Sequence, residues 1–216
     1  MNNRFLFIIL AIILVLLVNP FIHFRGPGGH LLSSFLLAMI PLASAYALTG
    51  DKKSAVVILS LAAPFLLLDA VNVFYTSRLL MIVAYSFATA LYLYIVVLLA
   101  RNLLTIRVIT ANLIYCAISI YLLIGIMWAG IYVVLETLSP GSFGGTSGQS
   151  DLLYFSFVTL TTVGFGDVAP LSILSRRLAV FEAAMGSIYM AVIVAMIVGR
   201  YMSLQAVPDA DDEPRE

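Results

Sequence analysis

Charge is scarce in this chain. Lys, Arg, Asp and Glu make up 10% of its 216 residues, against about 25% in soluble globular proteins. Apolar residues reach 62%, against roughly 45–50%. A soluble fold of this size has too few charges to cover its surface, so the long apolar runs belong in lipid. This excludes a cytosolic enzyme, a secreted disulfide scaffold and a disordered tail protein. The 11 basic and 11 acidic residues cancel, so no bulk charge points to a nucleic-acid partner. Cysteine is nearly absent. Cys116 stands alone inside an apolar run, which excludes an intrachain disulfide and argues against a cysteine-based metal site. His23 and His30 are the two histidines, and both flank one loop. No convergent His/Asp/Glu/Ser set for a membrane enzyme is visible, and the pair is expected to be solvated rather than proton-sensing.

What is present is a succession of apolar runs. The first covers 5–18 and extends to 24. No small-residue cleavage site follows it, so it reads as a retained helix rather than a signal peptide. Arg25-Gly26-Pro27-Gly28-Gly29-His30 breaks the chain. A second run covers 31–49, with Pro41 as a kink. The third and fourth runs, 55–75 and 79–100, are separated by Thr76-Ser77-Arg78 and form a tight antiparallel hairpin. The fifth reaches from about 106 to 135. As a helix it would span on the order of 45 Å, more than the roughly 30 Å hydrocarbon core, so it tilts or projects. A Gly/Ser-rich stretch over 136–150 reads as a flexible connection. Residues 151–160 are apolar but too short to cross the bilayer, and 173–204 is the sixth long run. Six crossings put both termini on one side. With the N-terminus inside, seven basic residues fall on the cytoplasmic side and four outside, which favours that orientation. The expected fold is therefore all-α and membrane-embedded, with six transmembrane helices and a re-entrant pore helix and loop.

The chemistry is concentrated between 151 and 167. A half-length apolar helix leads into Thr162-Val163-Gly164-Phe165-Gly166-Asp167 and then into a long helix. Irregular backbone at membrane depth is tolerated where it is packed in protein or lines a water-filled path. Gly164 and Gly166, at alternate positions, take positive φ at little cost. Alternating backbone handedness turns successive carbonyls to one side. Four such strands around an axis make stacked rings of oxygens that replace the hydration shell of a cation.

Thr161-Thr162-Val163-Gly164-Phe165-Gly166-Asp167 resembles the signature of the potassium channels. Phe165 stands where their usual filter has tyrosine. Tyr154-Phe155 falls at the family's aromatic pair, and Arg177 to Val180 looks like the start of its inner helix. Gly186, nineteen residues after Asp167, falls at the gating-hinge glycine. The likeness covers about 106–204. It implies that carbonyls of Thr162, Val163, Gly164 and Phe165, with the Thr162 hydroxyl, bind dehydrated K+, and that Gly166 and Asp167 shape the outer mouth. It also implies a homotetramer, since one strand cannot surround an ion. K+ is the permeant ion, and no cofactor is implied. One departure stands out. Some bacterial members carry a pore-helix glutamate that pairs with the aspartate behind the filter, and Val158 occupies that position.

In the sixth run, Ser187, Met190, Val194 and Val198 share one helical face and are expected to line the inner pore, with Val194 and Val198 able to gate by dewetting. An ordinary helix–helix contact is the competing reading. Glu182 is an intramembrane charge. It is expected to pair with a neighbour, with Arg176 or Arg177, or to sit behind the filter.

Channels with six crossings often carry a voltage sensor in the first four. Residues 79–100 contain no Lys or Arg, and Arg78 and Arg101 bracket them. Each charge moved across 100 mV contributes about 2.3 kcal/mol, so steep gating needs several. Residues 1–104 are therefore expected to form a four-helix peripheral domain without a charged sensor, 105–204 the pore domain, and 205–216 a short acidic cytoplasmic tail. Asp69, near Asn72, is expected to be a satisfied structural carboxylate bonded to Asn72 or Arg78. Asp209, Asp211, Asp212 and Glu213 are read as a solvated tail. With sixteen residues after Arg200, no regulatory module is expected there. The expected function is a potassium-selective channel subunit in the plasma (inner) membrane, insensitive to voltage. A weakly selective cation channel and a pore-loop potassium transporter subunit are the alternatives.

Overall fold

The computed structural model describes residues 4–22, 27–48, 52–75, 77–105, 110–146 and 148–205. His23, Arg107 and the acidic tail lie outside the described residues, as does the side chain of His30. The chain is built from helices α1 (Leu6–Ile22), α2 (Pro27–Ala47), α3 (Lys52–Phe74), α4 (Arg78–Thr105), α5 (Ala111–Leu138), α6 (Gln149–Leu160) and α7 (Ile173–Gln205). Two-residue strands β1 (Phe143–Gly144) and β2 (Ala169–Pro170) flank α6. Among the described residues, the helices containing 53–72, 78–105, 111–138 and 173–200 are long and apolar enough to cross a membrane, and 6–18 and 35–47 are shorter apolar stretches.

The helix ends follow local chemistry. The α3–α4 turn closes when the Ser77 N–H donates to Asn72 Oδ1 at 3.1 Å. Thr110 caps α5 by accepting from the Leu113 N–H at 3.3 Å. The far end of α5 is stopped by Ser139 and Pro140, since proline cannot continue the helical ladder. The observed α5 thus starts and ends later than the expected 106–135 run. It remains roughly 42 Å long, still longer than the hydrocarbon core.

Successive helices α1 to α5 pack on one another in chain order, and α1 returns to α5. The Ser119 hydroxyl reaches the Phe5 carbonyl at 3.3 Å. Residues 123–130 of α5 are all buried, because α4 covers one side and α6 and α7 the other. One apolar core consequently runs from Phe5 through Ile95 and Leu123 to Ala179, across the boundary drawn at 104. By contrast, α7 leaves large apolar side chains such as Val180, Phe181 and Val192 exposed.

The stretch after α5 is more structured than its composition suggests. The Glu136 carboxylate accepts the N–H groups of Gly141 at 2.7 Å and Phe143 at 3.0 Å. β1 then pairs antiparallel with β2, with Phe143 opposite Pro170. The Ser175 hydroxyl donates to the Ser142 carbonyl at 2.9 Å. A carboxylate placed to collect loop amides corrects the reading of a flexible connection over 136–146, and it ties the chain before α6 to the chain after the Thr-Val-Gly-Phe-Gly segment.

Candidate functional site

The segment 161–167 begins where α6 stops. Thr161 keeps a helical conformation, and its N–H still reaches Phe157 O. Thr162 then turns left-handed with φ 59°, Gly164 has φ 59° and Gly166 has φ 80°. Positive φ therefore recurs at every second residue. The two glycines were legible as left-handed positions from sequence. Thr162 was not, because an L-residue rarely goes there. Its signal is the extension of the same two-residue step backwards along the chain.

The last turn of α6 holds this segment. The Val158 carbonyl accepts from the N–H groups of Val163 at 3.0 Å and Gly164 at 3.3 Å. The Thr162 N–H donates to Thr159 O at 2.9 Å. At the C-terminal end of the segment, the Tyr154 hydroxyl donates to Asp167 Oδ2 at 2.9 Å. Val158 removes a carboxyl partner from Asp167, and Tyr154, one helical turn earlier, supplies a hydroxyl in its place. All seven residues 161–167 are exposed within the single chain. Phe165 is 71% exposed and Val163 54%, so neither packs on its own chain.

Behind α6 lies an aromatic wall. Tyr132, Phe143 and Phe155 make mutual edge-to-face contacts with centroids 5.2 to 5.3 Å apart. Trp128 packs on Tyr132 and Phe181. Within this wall Glu182 is completely buried. Its carboxyl receives the Tyr132 hydroxyl at 2.5 Å and meets the Ser156 hydroxyl at 2.5 Å. The expected pairing with Arg176 or Arg177 is corrected. Arg176 directs its Nε to the Pro170 carbonyl at 3.1 Å, and both arginines are exposed. The reason is helical phase: Glu182 faces α5 and α6, where two hydroxyls satisfy it. It lies instead between α5 and α6, against the helix that precedes segment 161–167. Sequence reading missed Tyr132 and Ser156, since nothing local marks them as partners of a residue 50 and 26 positions away.

Gly186 is buried, and a Cβ there would collide with the Leu160 carbonyl oxygen. The α7 backbone thus lies directly against the end of α6. The same carbonyl accepts from the Tyr121 hydroxyl at 3.2 Å. Ser187, Met190, Val194 and Val198 are all exposed along α7. The Ser187 hydroxyl returns to the Ala183 carbonyl at 3.0 Å. In α3, Asp69 is half-buried. Tyr85 of α4 donates to Gln149 Oε1 at the start of α6, at 2.5 Å.

Residues 120–203 match the ion channel family. Over 87 residues the chain is 31% identical to the inward rectifier potassium channel Kirbac3.1 of Paramagnetospirillum magnetotacticum, covering 38% of this chain and 28% of that one. Over 62 residues it is 45% identical to two-pore potassium channel 1 of Arabidopsis thaliana, covering 29% and 16%. It is 42% identical over 80 residues to protein LctB of Geobacillus stearothermophilus, covering 33% and 59%. The chain spans less than two thirds of the length of each of these relatives. No solved structure matches it significantly. The family match contains the alternating segment, α6 and nearly all of α7, and the chain is a membrane protein. Residues 120–203, which hold this segment, are similar to the ion channel family.

Proposed function

We propose that this chain is one subunit of a potassium-selective channel that passes K+ passively through a pore made by four copies. The alternation of positive φ at Thr162, Gly164 and Gly166, in an exposed segment, carries this reading. Such alternation turns successive carbonyls to one side. Four copies would stack the oxygens of Thr162, Val163, Gly164 and Phe165 into rings, with the Thr162 hydroxyl below, and these rings would replace the hydration shell of K+. Gly166 and Asp167 would form the outer mouth. Lipid cannot hydrogen-bond an exposed strand at membrane depth, which supports an aqueous path lined by several chains. A closed ring of identical subunits is the economical way to build it. The names of the relatives support the choice of ion.

The inner path would run along Ser187, Met190, Val194 and Val198, with apolar closure by dewetting at Val194 and Val198. The C-terminal end of α6 would turn its negative dipole end toward a central cavity and favour a cation there. α1 to α4 would form the peripheral domain of 1–104. Six crossings, with both termini cytoplasmic in the plasma (inner) membrane, would complete the subunit. No covalent chemistry is required of it.

Reconstitution in liposomes tests the function, with K+ and Na+ flux measured under a valinomycin-calibrated potential. K+ flux well above Na+ flux is the expected result, and equal flux of the two ions would overturn the selectivity. The solubilised protein is also expected to have the mass of four chains. A monomer or dimer that still conducts selectively would contradict the ring.

Open probability is expected to vary weakly with voltage. In α4 the basic residues are Arg78 and Arg101, both exposed near its ends, where they snorkel to the interface. One charge crossing the whole field contributes about 2.3 kcal/mol per 100 mV, and end-of-helix charges cross little of it. Single-channel recording in symmetric potassium checks this. A steep activation curve that survives neutralisation of both arginines would refute the charge argument.

A further inference from the structure

Three oxygen–oxygen contacts meet around Glu182, and each needs a hydrogen. Tyr132 Oη lies 2.5 Å from Glu182 Oε2. Ser156 Oγ lies 2.5 Å from Glu182 Oε1 and 2.7 Å from the Gly125 carbonyl oxygen. At these separations, two oxygens with no hydrogen between them repel. Tyrosine and serine supply one hydrogen each, while a carboxylate and a backbone carbonyl supply none. With an ionised Glu182 the cluster is one hydrogen short. With a protonated one the count closes: Tyr132 donates to Oε2, the Oε1 hydroxyl donates to Ser156 Oγ, and Ser156 donates to the Gly125 carbonyl.

We propose that Glu182 carries a proton in the assembled protein, and that in this form it is the positioning residue that clamps the pore helix α6 between α5 and α7. The inference rests on the pore reading for its effect on conduction, but not for the protonation itself. The surroundings agree with a neutral group. Glu182 is wholly buried. The titratable groups that act on it are Tyr132 and Tyr121 of α5, and α6 offers the non-titrating Ser156. On α7, Arg176 is engaged with the Pro170 carbonyl, and Arg177 is exposed. A buried carboxylate without a cation would be strongly disfavoured.

The clamp reaches the filter segment through two residues of α6. Ser156 stands two positions before Val158, whose carbonyl holds the N–H groups of Val163 and Gly164. Removing the proton from Glu182 forces the single Ser156 hydrogen to choose. The charge-assisted bond to the carboxylate wins. Gly125 then loses the Ser156 contact, and α6 loosens from α5. Glutamine reproduces the protonated form. Its carbonyl accepts from Tyr132, its amide donates to Ser156, and Ser156 still donates to Gly125.

The test compares the full-length protein with Glu182→Gln and Ser156→Ala in liposomes. The infrared difference between wild type and Glu182→Gln at neutral pH should contain the carbonyl stretch of a protonated carboxylic acid. Glu182→Gln should conduct within about twofold of wild type at neutral pH and stay flat as pH rises, because it has no proton to lose. Wild-type flux should fall about tenfold or more under alkaline conditions. Ser156→Ala, which strands a buried donor, should lose about tenfold at every pH. A purely structural side chain would not separate wild type from glutamine by their pH profiles. Carboxylate bands without the acid band would overturn the proposal, as would the same alkaline decline in Glu182→Gln as in wild type. If the acid band is present but no selective flux occurs, the pore reading fails and the protonation stands. Selective flux with an ionised Glu182 gives the reverse.

Discussion

Replacing Gly164 or Gly166 with alanine is expected to abolish potassium flux while leaving membrane insertion intact. Within one chain, no atom lies within 4 Å of a Cβ built at either position. The effect must therefore come from the backbone. The two glycines hold φ 59° and 80°, and an L-residue in the left-handed region is disfavoured by roughly 1–2 kcal/mol. In the proposed ring of four chains, the penalty would become about 4–8 kcal/mol. At 1.4 kcal/mol per tenfold, the conducting arrangement falls by about a thousandfold or more. Thr162 already holds a left-handed φ of 59° with a side chain attached, so each chain carries this strain once before any substitution. Flux assays with a carbonate-extraction control check the expectation. Wild-type, potassium-selective flux in either variant would remove the filter assignment.

Gly186→Ala is expected to destabilise the protein and to reduce flux by at least about tenfold. Two readings of this glycine give opposite signs. A hinge glycine in a helix interior gains about 1 kcal/mol of helix propensity when it becomes alanine. A packing glycine loses, because overfilling a close contact costs about 1–3 kcal/mol. Here the added Cβ would meet the Leu160 carbonyl, which Tyr121 holds with a hydrogen bond of 3.2 Å. The backbone cannot give way as a flexible side chain would. For a chain of this size the melting temperature should drop by roughly 3–10 °C. Gly199→Ala is the control: it lies in the same helix with nothing within 4 Å, and should be neutral or slightly stabilising. A higher melting temperature for Gly186→Ala would instead favour the hinge reading.

The sequence by itself determined the membrane class, through its shortage of charge and its long apolar runs. It also determined the extents of α3, α4 and α7 to within a few residues, because polar turns such as Thr76-Ser77-Arg78 punctuate them. The special backbone at Gly164 and Gly166 was legible for a local reason: only glycine takes positive φ cheaply, so its placement at alternate positions reports conformation directly. Contacts between distant segments were not legible. That Glu182 meets Tyr132 and Ser156, that Tyr154 replaces a carboxyl beside Asp167, and that Gly186 admits the Leu160 carbonyl all depend on how α5, α6 and α7 are phased against one another. In an almost uniformly apolar chain, hydrophobic periodicity does not mark which face of a helix turns inward, because lipid and protein interior are alike to an apolar side chain. Polar groups decide the phase instead. Their partners become visible only when the helices are packed, since a hydrogen bond needs two groups within about 3 Å and the sequence separates them by dozens of residues.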